Sequence, residues 1–281
     1  MRKKLFSLDE IIVGIVKKRP SINCQSPYVS DVQISKNKII CAHCPSLGCC
    51  GLCEANKTVI LVPIKTKNVS CRICKYRIEL AKHHEGHNVV YIGLNPRLAE
   101  KIVEESLVAG LIPQLELKTP LSYKTQVQYL NSRFDFFGID KFGKEFFLEV
   151  KNVPIADYVN VSKKDRKIMI EHIKTKKFNE KIAFFPEGYR KKSIDPVSPR
   201  ALKHVNELKE IAQNHNKRAI LCFVIQREDV SEFQISNLDA VYKNAIYDAI
   251  SCGVEIKIVQ VKWTREGKCY LINIDVPIHT F

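Results

Sequence analysis

The chain has 281 residues, with 45 Lys+Arg against 30 Asp+Glu and an isoelectric point near 9.3. That length holds two ordinary domains and a sizeable core, and the excess positive charge points to a polyanionic partner, nucleic acid first. No stretch approaches the roughly 18 apolar residues of a membrane span. The apolar run IIVGIV (11–16) follows Asp9 and Glu10 and lacks a small-residue cleavage site, so no signal peptide is expected and the chain reads as soluble and intracellular.

From the N-terminus, strand-like runs fall at 11–16, 29–34, 38–42 and 58–63, separated by polar turns such as Ser35-Lys36-Asn37. Several short strands without a long helix suit a small barrel over residues 1–80. The same segment holds eight of the eleven cysteines, many for a reducing compartment. Three CxxC pairs occur, Cys41/Cys44, Cys50/Cys53 and Cys71/Cys74. The last two have the spacing of a tetrahedral thiolate site, so Cys50, Cys53, Cys71 and Cys74 are candidate ligands for structural Zn²⁺. Cys41/Cys44 replacing one pair, an iron–sulfur cluster, and plain reduced thiols are the alternatives. His83, His84 and His87 sit in a turn-like HHEGH segment and read as surface residues.

The remaining residues, 81–281, alternate helix and strand. A strand at 89–94 leads to Asn95-Pro96, an N-cap and a first helical position, and Gly110 closes that helix. Leu98, Ile102 and Ala109 form an inward stripe, and Glu105 falls on it. A carboxylate there is costly unless paired or bound to metal. Next come two aromatic-rich runs around a turn at 140–144, SRFDFFGIDKFGKEFFLEVKNV (132–153), with Gly143 available for a positive φ. Alternation puts Phe146, Leu148 and Val150 on one face of the second run and Phe147, Glu149 and Lys151 on the other. If the runs pair as an antiparallel hairpin, one register sets Asp135 beside Glu149 and Lys151. Two carboxylates offer hard oxygen ligands for Mg²⁺ or Mn²⁺, and the lysine is placed to orient a water attacking a phosphodiester. Taken alone, the same residues also describe a solvated sheet face.

Beyond the hairpin, lysine and arginine accumulate in two segments, at about 155–180 and 188–199. Lys163, Lys164, Arg166, Lys167, Arg190, Lys191 and Lys192 are candidate phosphate contacts. A helix at 200–214 carries Arg200 and Lys203, also candidates, with His204 among its apolar residues. The run AILCFVI (219–225) is apolar throughout, as in a strand buried on both faces. A helix at 239–252 stopped by Gly253 and a strand at 254–263 complete an α/β layer arrangement with a mixed sheet.

The motifs SRFDF (132–136), LEVKNV (148–153), AFFPE (183–187), RALKHVNEL (200–208), KRAILCFVIQ (217–226) and GVEI (253–256) stand in one order with HCPSLG (43–48) and GLNPRLAEKIVEESLVAGLI (93–112) upstream. In this the chain resembles the sugar fermentation stimulation protein A family. The resemblance implies an OB-like N-terminal barrel and a restriction-endonuclease-like PD-(D/E)xK α/β/α domain. It implies DNA binding and a metal-dependent deoxyribonuclease site made of Asp135, Glu149 and Lys151, with Glu105 as an auxiliary acid. The alternative it leaves open is a DNA-binding regulatory protein, linked to sugar metabolism, without important cleavage. The segments at 155–180 and 188–199 are insertions relative to that pattern, and four cysteines at these positions are not generally part of it.

Overall fold

The computed structural model describes residues 2–46, 51–65, 73–119, 121–186, 195–214 and 216–279. Two compact units emerge, one of Met1–Leu98 with Gln226–Asp229 and Val261–Ile272, the other of Ala99–Ile225 with Val230–Gln260 and Asn273–Phe281. A boundary at residue 80 would cut through a single strand, Tyr76–Glu85, so the division falls later. Sheet and helix mix in a sheet-dominated α/β arrangement, and no helix among the described residues is long and apolar enough to cross a membrane.

The first unit is built of strands β1 (Lys3–Ser7), β2 (Ile12–Lys18), β3 (Val29–Ser35), β4 (Lys38–His43), β5 (Thr58–Pro63), β6 (Tyr76–Glu85) and β7 (Asn88–Gly93). They pair in the order β4-β3-β2-β5-β6-β7, and β4 also pairs in parallel with β6, Ala42 opposite Tyr76 and His43 opposite Arg77. Val16, Val32, Leu61, Ile78 and Leu80 are completely buried between them. Burial alternates along β2, where Gly14 and Val16 face inward and Val13 and Ile15 outward, as strand geometry requires, whereas β5 is buried continuously from Val59 to Val62.

Helix α1 (Pro96–Val108) leads into the second unit. Its strands β8 (Tyr123–Tyr129), β9 (Ser132–Ile139) and β10 (Glu145–Val153) form an antiparallel meander. The turn between β9 and β10 uses Gly143 at φ 81°. There Asp140 Oδ1 accepts the backbone N–H groups of Phe142 (3.0 Å) and Lys144 (2.9 Å), an Asx-type closure that pins the register.

After β11 (Ala156–Asp157), the basic segment near 155–180 is partly helical, with α2 (Lys163–Ile168) and α3 (Ile170–Lys174). Strand β12 (Lys181–Phe185) and helix α4 (Pro199–Asn214) lead to β13 (Arg218–Ile225), parallel to β10, with Glu149 beside Leu221 and Lys151 beside Phe223. Seven of the eight β13 residues are buried, the central strand its apolar run predicts. Strand β14 (Val230–Ile235) joins β12, helix α5 (Ala240–Ser251) follows, and β15 (Glu255–Trp263) runs parallel to β13. Strand β16 (Lys268–Asn273) pairs with β1, and β17 (Ile278–His279) with β14. The core of this unit gathers Phe134, Phe147, Phe223, Phe233 and Tyr242 with the apolar face of α4.

A carboxylate site on the β9–β10 hairpin

Pairing of Phe147 with Phe137 and Leu148 with Phe136 carries the register forward so that Asp135 and Glu149 come opposite each other. The backbone N–H of Val150 donates to Asp135 Oδ2 at 2.8 Å. Asp135, Glu149 and Lys151 are therefore brought together, as the alternation of the two runs predicts.

The immediate partners divide unequally. Glu149 is only 4 % exposed, and its Oε1 accepts both the Lys151 ammonium and Nδ1 of His204. An ionised carboxylate donates nothing, so Nδ1 of His204 carries the proton in that contact. The other oxygen, Oε2, is buried and has no hydrogen-bond partner among the described residues. Burial pushes the Glu149 carboxyl up, but the charge of Lys151 and the contacts of Lys151 and His204 outweigh it and hold it below the usual range. Asp135 moves the other way, to about 7, because burial and the neighbouring Glu149 charge outweigh the Val150 N–H, with Glu100 adding to the rise. Two carboxylates with pKa values driven apart in one site are an arrangement shared by acid–base and metal sites and by structural ion-pair networks.

His204 reaches this site because α4 turns it inward with Ala201, Val205, Leu208 and Ile211, all buried. Sequence reasoning noted it on that apolar face and assigned it no role; the signal was a titratable residue where a hydrocarbon would do. Two further residues were missed. Gln126 donates from Nε2 to Asp135 Oδ1 (3.1 Å) and to Glu100 Oε2 (3.0 Å). It does so with φ 55° in mid-strand, a left-handed conformation that costs a non-glycine residue about 1 kcal/mol or more and recurs at functional sites.

Glu105 does not join them. It is half-buried, and its carboxylate makes no hydrogen bond or ion pair among the described residues. The α1 carboxylates that face β8 are Glu100, through Gln126, and Glu104, which accepts the Tyr123 hydroxyl at 3.0 Å. Leu98 and Ile102 of the expected stripe are buried, but Ala109 lies beyond the end of α1 and is exposed, and the buried face is centred further round the helix, through Ala99, Val103 and Leu107. One residue along a helix is about 100° of rotation, which leaves Glu105 at the edge of that face, where its charge adds to the rise of the Tyr123 phenol pKa but no contact with Asp135 or Glu149 is made among the described residues.

Of the basic candidates, Lys164 and Lys167 on α2 and Arg200 on α4 are exposed. Arg166 is instead occupied by a two-pronged pair with Asp157, Nε to Oδ2 at 2.5 Å and a terminal nitrogen to Oδ1 at 3.1 Å. Lys203 bonds the Asn131 carbonyl and lies 3.7 Å from Glu207. Lys163 belongs to α2, but its side chain lies outside the described residues, as do Arg190, Lys191 and Lys192.

Among the zinc candidates, Cys50 and Cys71 also lie outside the described residues, Cys53 is buried and Cys74 half-buried. Burial pushes the Cys74 thiol up to about 11, with the charges of Cys41 and Cys24 adding to the rise. Among the described residues no group of three or more His, Cys, Asp or Glu side chains is arranged to hold a metal. Mg²⁺ asks for less: one or two carboxylates, with water completing its shell. The buried, partnerless Oε2 of Glu149 beside Asp135 fits that demand.

Residues 97–161 and 155–267 match the family described as "Sugar fermentation stimulation protein RE domain". Over 250 residues the chain is 27 % identical to the sugar fermentation stimulation protein homolog of Pseudoalteromonas atlantica, covering 88 % of this chain and 89 % of that one. The homolog of Nostoc punctiforme is 27 % identical over 274 residues, 95 % of each. A solved structure of Pyrococcus furiosus SfsA in complex with Ca²⁺ superposes with a TM-score of 0.73 at 18 % identity, covering 98 % of this chain and 99 % of that chain. At that identity the likeness speaks for the fold.

Proposed function

Because the chain belongs to the sugar fermentation stimulation protein (SfsA) family, we propose that it binds DNA and cleaves phosphodiester bonds with Mg²⁺ or Mn²⁺ at the β9–β10 hairpin. The observation that carries this reading is the buried Oε2 of Glu149, left without a partner beside Asp135. A buried acceptor without a donor costs about 1–3 kcal/mol, an expense that a bound cation would remove. The Ca²⁺ complex of the Pyrococcus furiosus relative supports a hard divalent ion.

Asp135 and Glu149 Oε2 would hold the ion, which when bound supplies a Lewis acid and a more acidic water. Val150 and Gln126 fix the orientation of Asp135, and His204 fixes that of Glu149. Lys151, drawn off Glu149 by an incoming phosphate, orients the attacking water and offsets charge building on the phosphoryl oxygens. Exposed Lys164, Lys167 and Arg200 neutralise flanking phosphates. In this reading the second unit is a restriction-endonuclease-like PD-(D/E)xK domain. The pairing circuit β4-β3-β2-β5-β6-β4 in the first supports an OB-like barrel.

A second reading, DNA binding without cleavage in a regulatory role tied to sugar use, draws support from Lys151 and His204 both closing on Glu149 Oε1, a self-contained ion pair. Incubation with single- and double-stranded DNA and Mg²⁺ or Mn²⁺ separates the two. Cleavage that disappears in both Asp135→Ala and Lys151→Ala supports the nuclease. Binding with no cleavage in the wild-type chain supports the regulator. A zinc site at Cys50, Cys53, Cys71 and Cys74 stays a separate proposal, tested by elemental analysis with thiol titration.

A further inference from the structure

The first unit contains a cavity of about 1100 Å³ at the start of α1, as large as sites that take a nucleotide-sized ligand. Four basic side chains line it: His43, Lys65, Arg77 and Arg97. His43 and Arg77 are direct neighbours across the parallel β4–β6 pair. Arg77 is held from behind by Glu79, which is 1 % exposed. Its Nε donates to Glu79 Oε1 at 2.6 Å, and Asn95 Nδ2 donates to Oε2 at 2.7 Å. Both oxygens of that carboxylate are thus engaged, and the guanidinium is positioned toward the opening with 28 % of its side chain exposed.

Asn95 also caps α1, its Oδ1 accepting the backbone N–H of Arg97 at 3.1 Å. The first turn of α1 holds no acidic residue and instead presents exposed Arg97, which has no ion pair among the described residues. A cation at a helix N-terminus opposes the helix dipole and is locally unfavourable. A helix that places one there, inside a basic cavity, gives up local stability for something else.

Among the described residues three cations stand against two paired carboxylates, Glu79 on Arg77 and Glu10 on Lys65, with Asp9 further off, so that of the three Arg97 is the cation left without an ion pair. The helix end adds about half a charge, and protonation of His43 would add another. That total suits a phosphate monoester, which carries roughly −1.5 to −2 at neutral pH. Apolar walls from Pro45, Pro63, Ile64 and Ile73 suit the less polar remainder of such a ligand.

We propose that this cavity binds the phosphomonoester of a nucleoside, presented either by a free nucleotide or by the phosphorylated end of a nucleic-acid strand. The site lies wholly within the first unit and stands independently of phosphodiester cleavage. Burial, Arg77 and Arg97 hold the His43 imidazole below its usual pKa, so an arriving phosphate would raise it and take up a proton.

Calorimetry on the intact chain in EDTA, which prevents cleavage, tests this with dAMP, deoxyadenosine, and a DNA dodecamer bearing a 5′-phosphate or a 5′-hydroxyl. We expect dAMP to bind and deoxyadenosine not to. We expect Arg97→Glu to weaken dAMP about tenfold or more, as loss of a charge-assisted contact does. The exposed position of Arg97 keeps the fold intact, unlike Arg77, whose loss would strand a buried carboxylate. The His43 NMR titration should move to higher pH with dAMP bound, and His43→Gln should abolish the proton uptake. Preference for the phosphorylated dodecamer identifies strand ends as the source; dAMP binding without that preference identifies a free nucleotide. Equal affinity for dAMP and deoxyadenosine, no binding of either, or an unchanged Arg97→Glu variant overturns the proposal.

Discussion

His204 lies 55 residues beyond Glu149 in the chain, yet its Nδ1 meets Glu149 Oε1 at a buried contact, on the same oxygen that Lys151 holds. One carboxylate oxygen is thereby saturated by two nitrogens while the other has none among the described residues. The asymmetry orients the free oxygen and couples a helix to a strand at the point where chemistry is proposed.

Replacing His204 with Ala should therefore do two things. It should cost about 1–3 kcal/mol of stability, the range for losing a buried hydrogen bond to a charged group, read by urea denaturation without metal. It should also raise the Glu149 pKa, because one of the contacts that hold it down is gone. A variant as stable as wild type, with the same acid limb in its pH profile, would contradict the assigned role.

The displaced pKa of Asp135, about 7, makes cation binding pH-dependent. Between the ordinary 3.8 and about 7 the folded site holds a proton that the unfolded chain has released. Asp135 therefore favours the folded state at low pH, and that contribution fades as pH rises through about 7. A divalent ion needs the carboxylate, so its affinity should rise with pH up to about 7 and binding at pH 6 should release about one proton. Titrations in buffers of different ionisation enthalpy measure that release, and Asp135→Asn should remove it.

Glu100 and Glu105 make opposite predictions despite their proximity in sequence. Glu100 lies behind Gln126 and pushes the Asp135 pKa up, so Glu100→Gln should shift the pH dependence of cation binding downward. Glu105→Gln should leave it in place. A larger effect at Glu105 would restore the auxiliary acid that the helical stripe suggested.

Lys164 and Lys167 are exposed on α2 and each is expected to neutralise about one phosphate. Changing both to Glu should weaken DNA binding and lower the slope of log K against log salt by about 2. Arg166→Ala should act through stability instead, because its partner is Asp157. A filter-binding series from low to moderate salt, beside thermal melts, separates the two behaviours.

The local pattern was enough to set the hairpin. Alternating residues on both runs, with Asp140 and Gly143 at the turn, admit a register in which Asp135 meets Glu149 and Lys151. Period-two side-chain geometry allows little else once one face is buried. The same holds for β13, whose unbroken, β-branched apolar run is typical of a strand covered on both faces. What surrounds the carboxylates was decided elsewhere. Whether Glu100 or Glu105 faces Asp135 depends on the rotation of α1, set by which of its residues pack inward. The contact between His204 and Glu149 depends on how α4 packs in the core, and the proton on Asp135 on burial by many distant residues. These quantities belong to the packed chain, because rotation, distance across elements and local dielectric are properties of neighbours that the sequence order does not name.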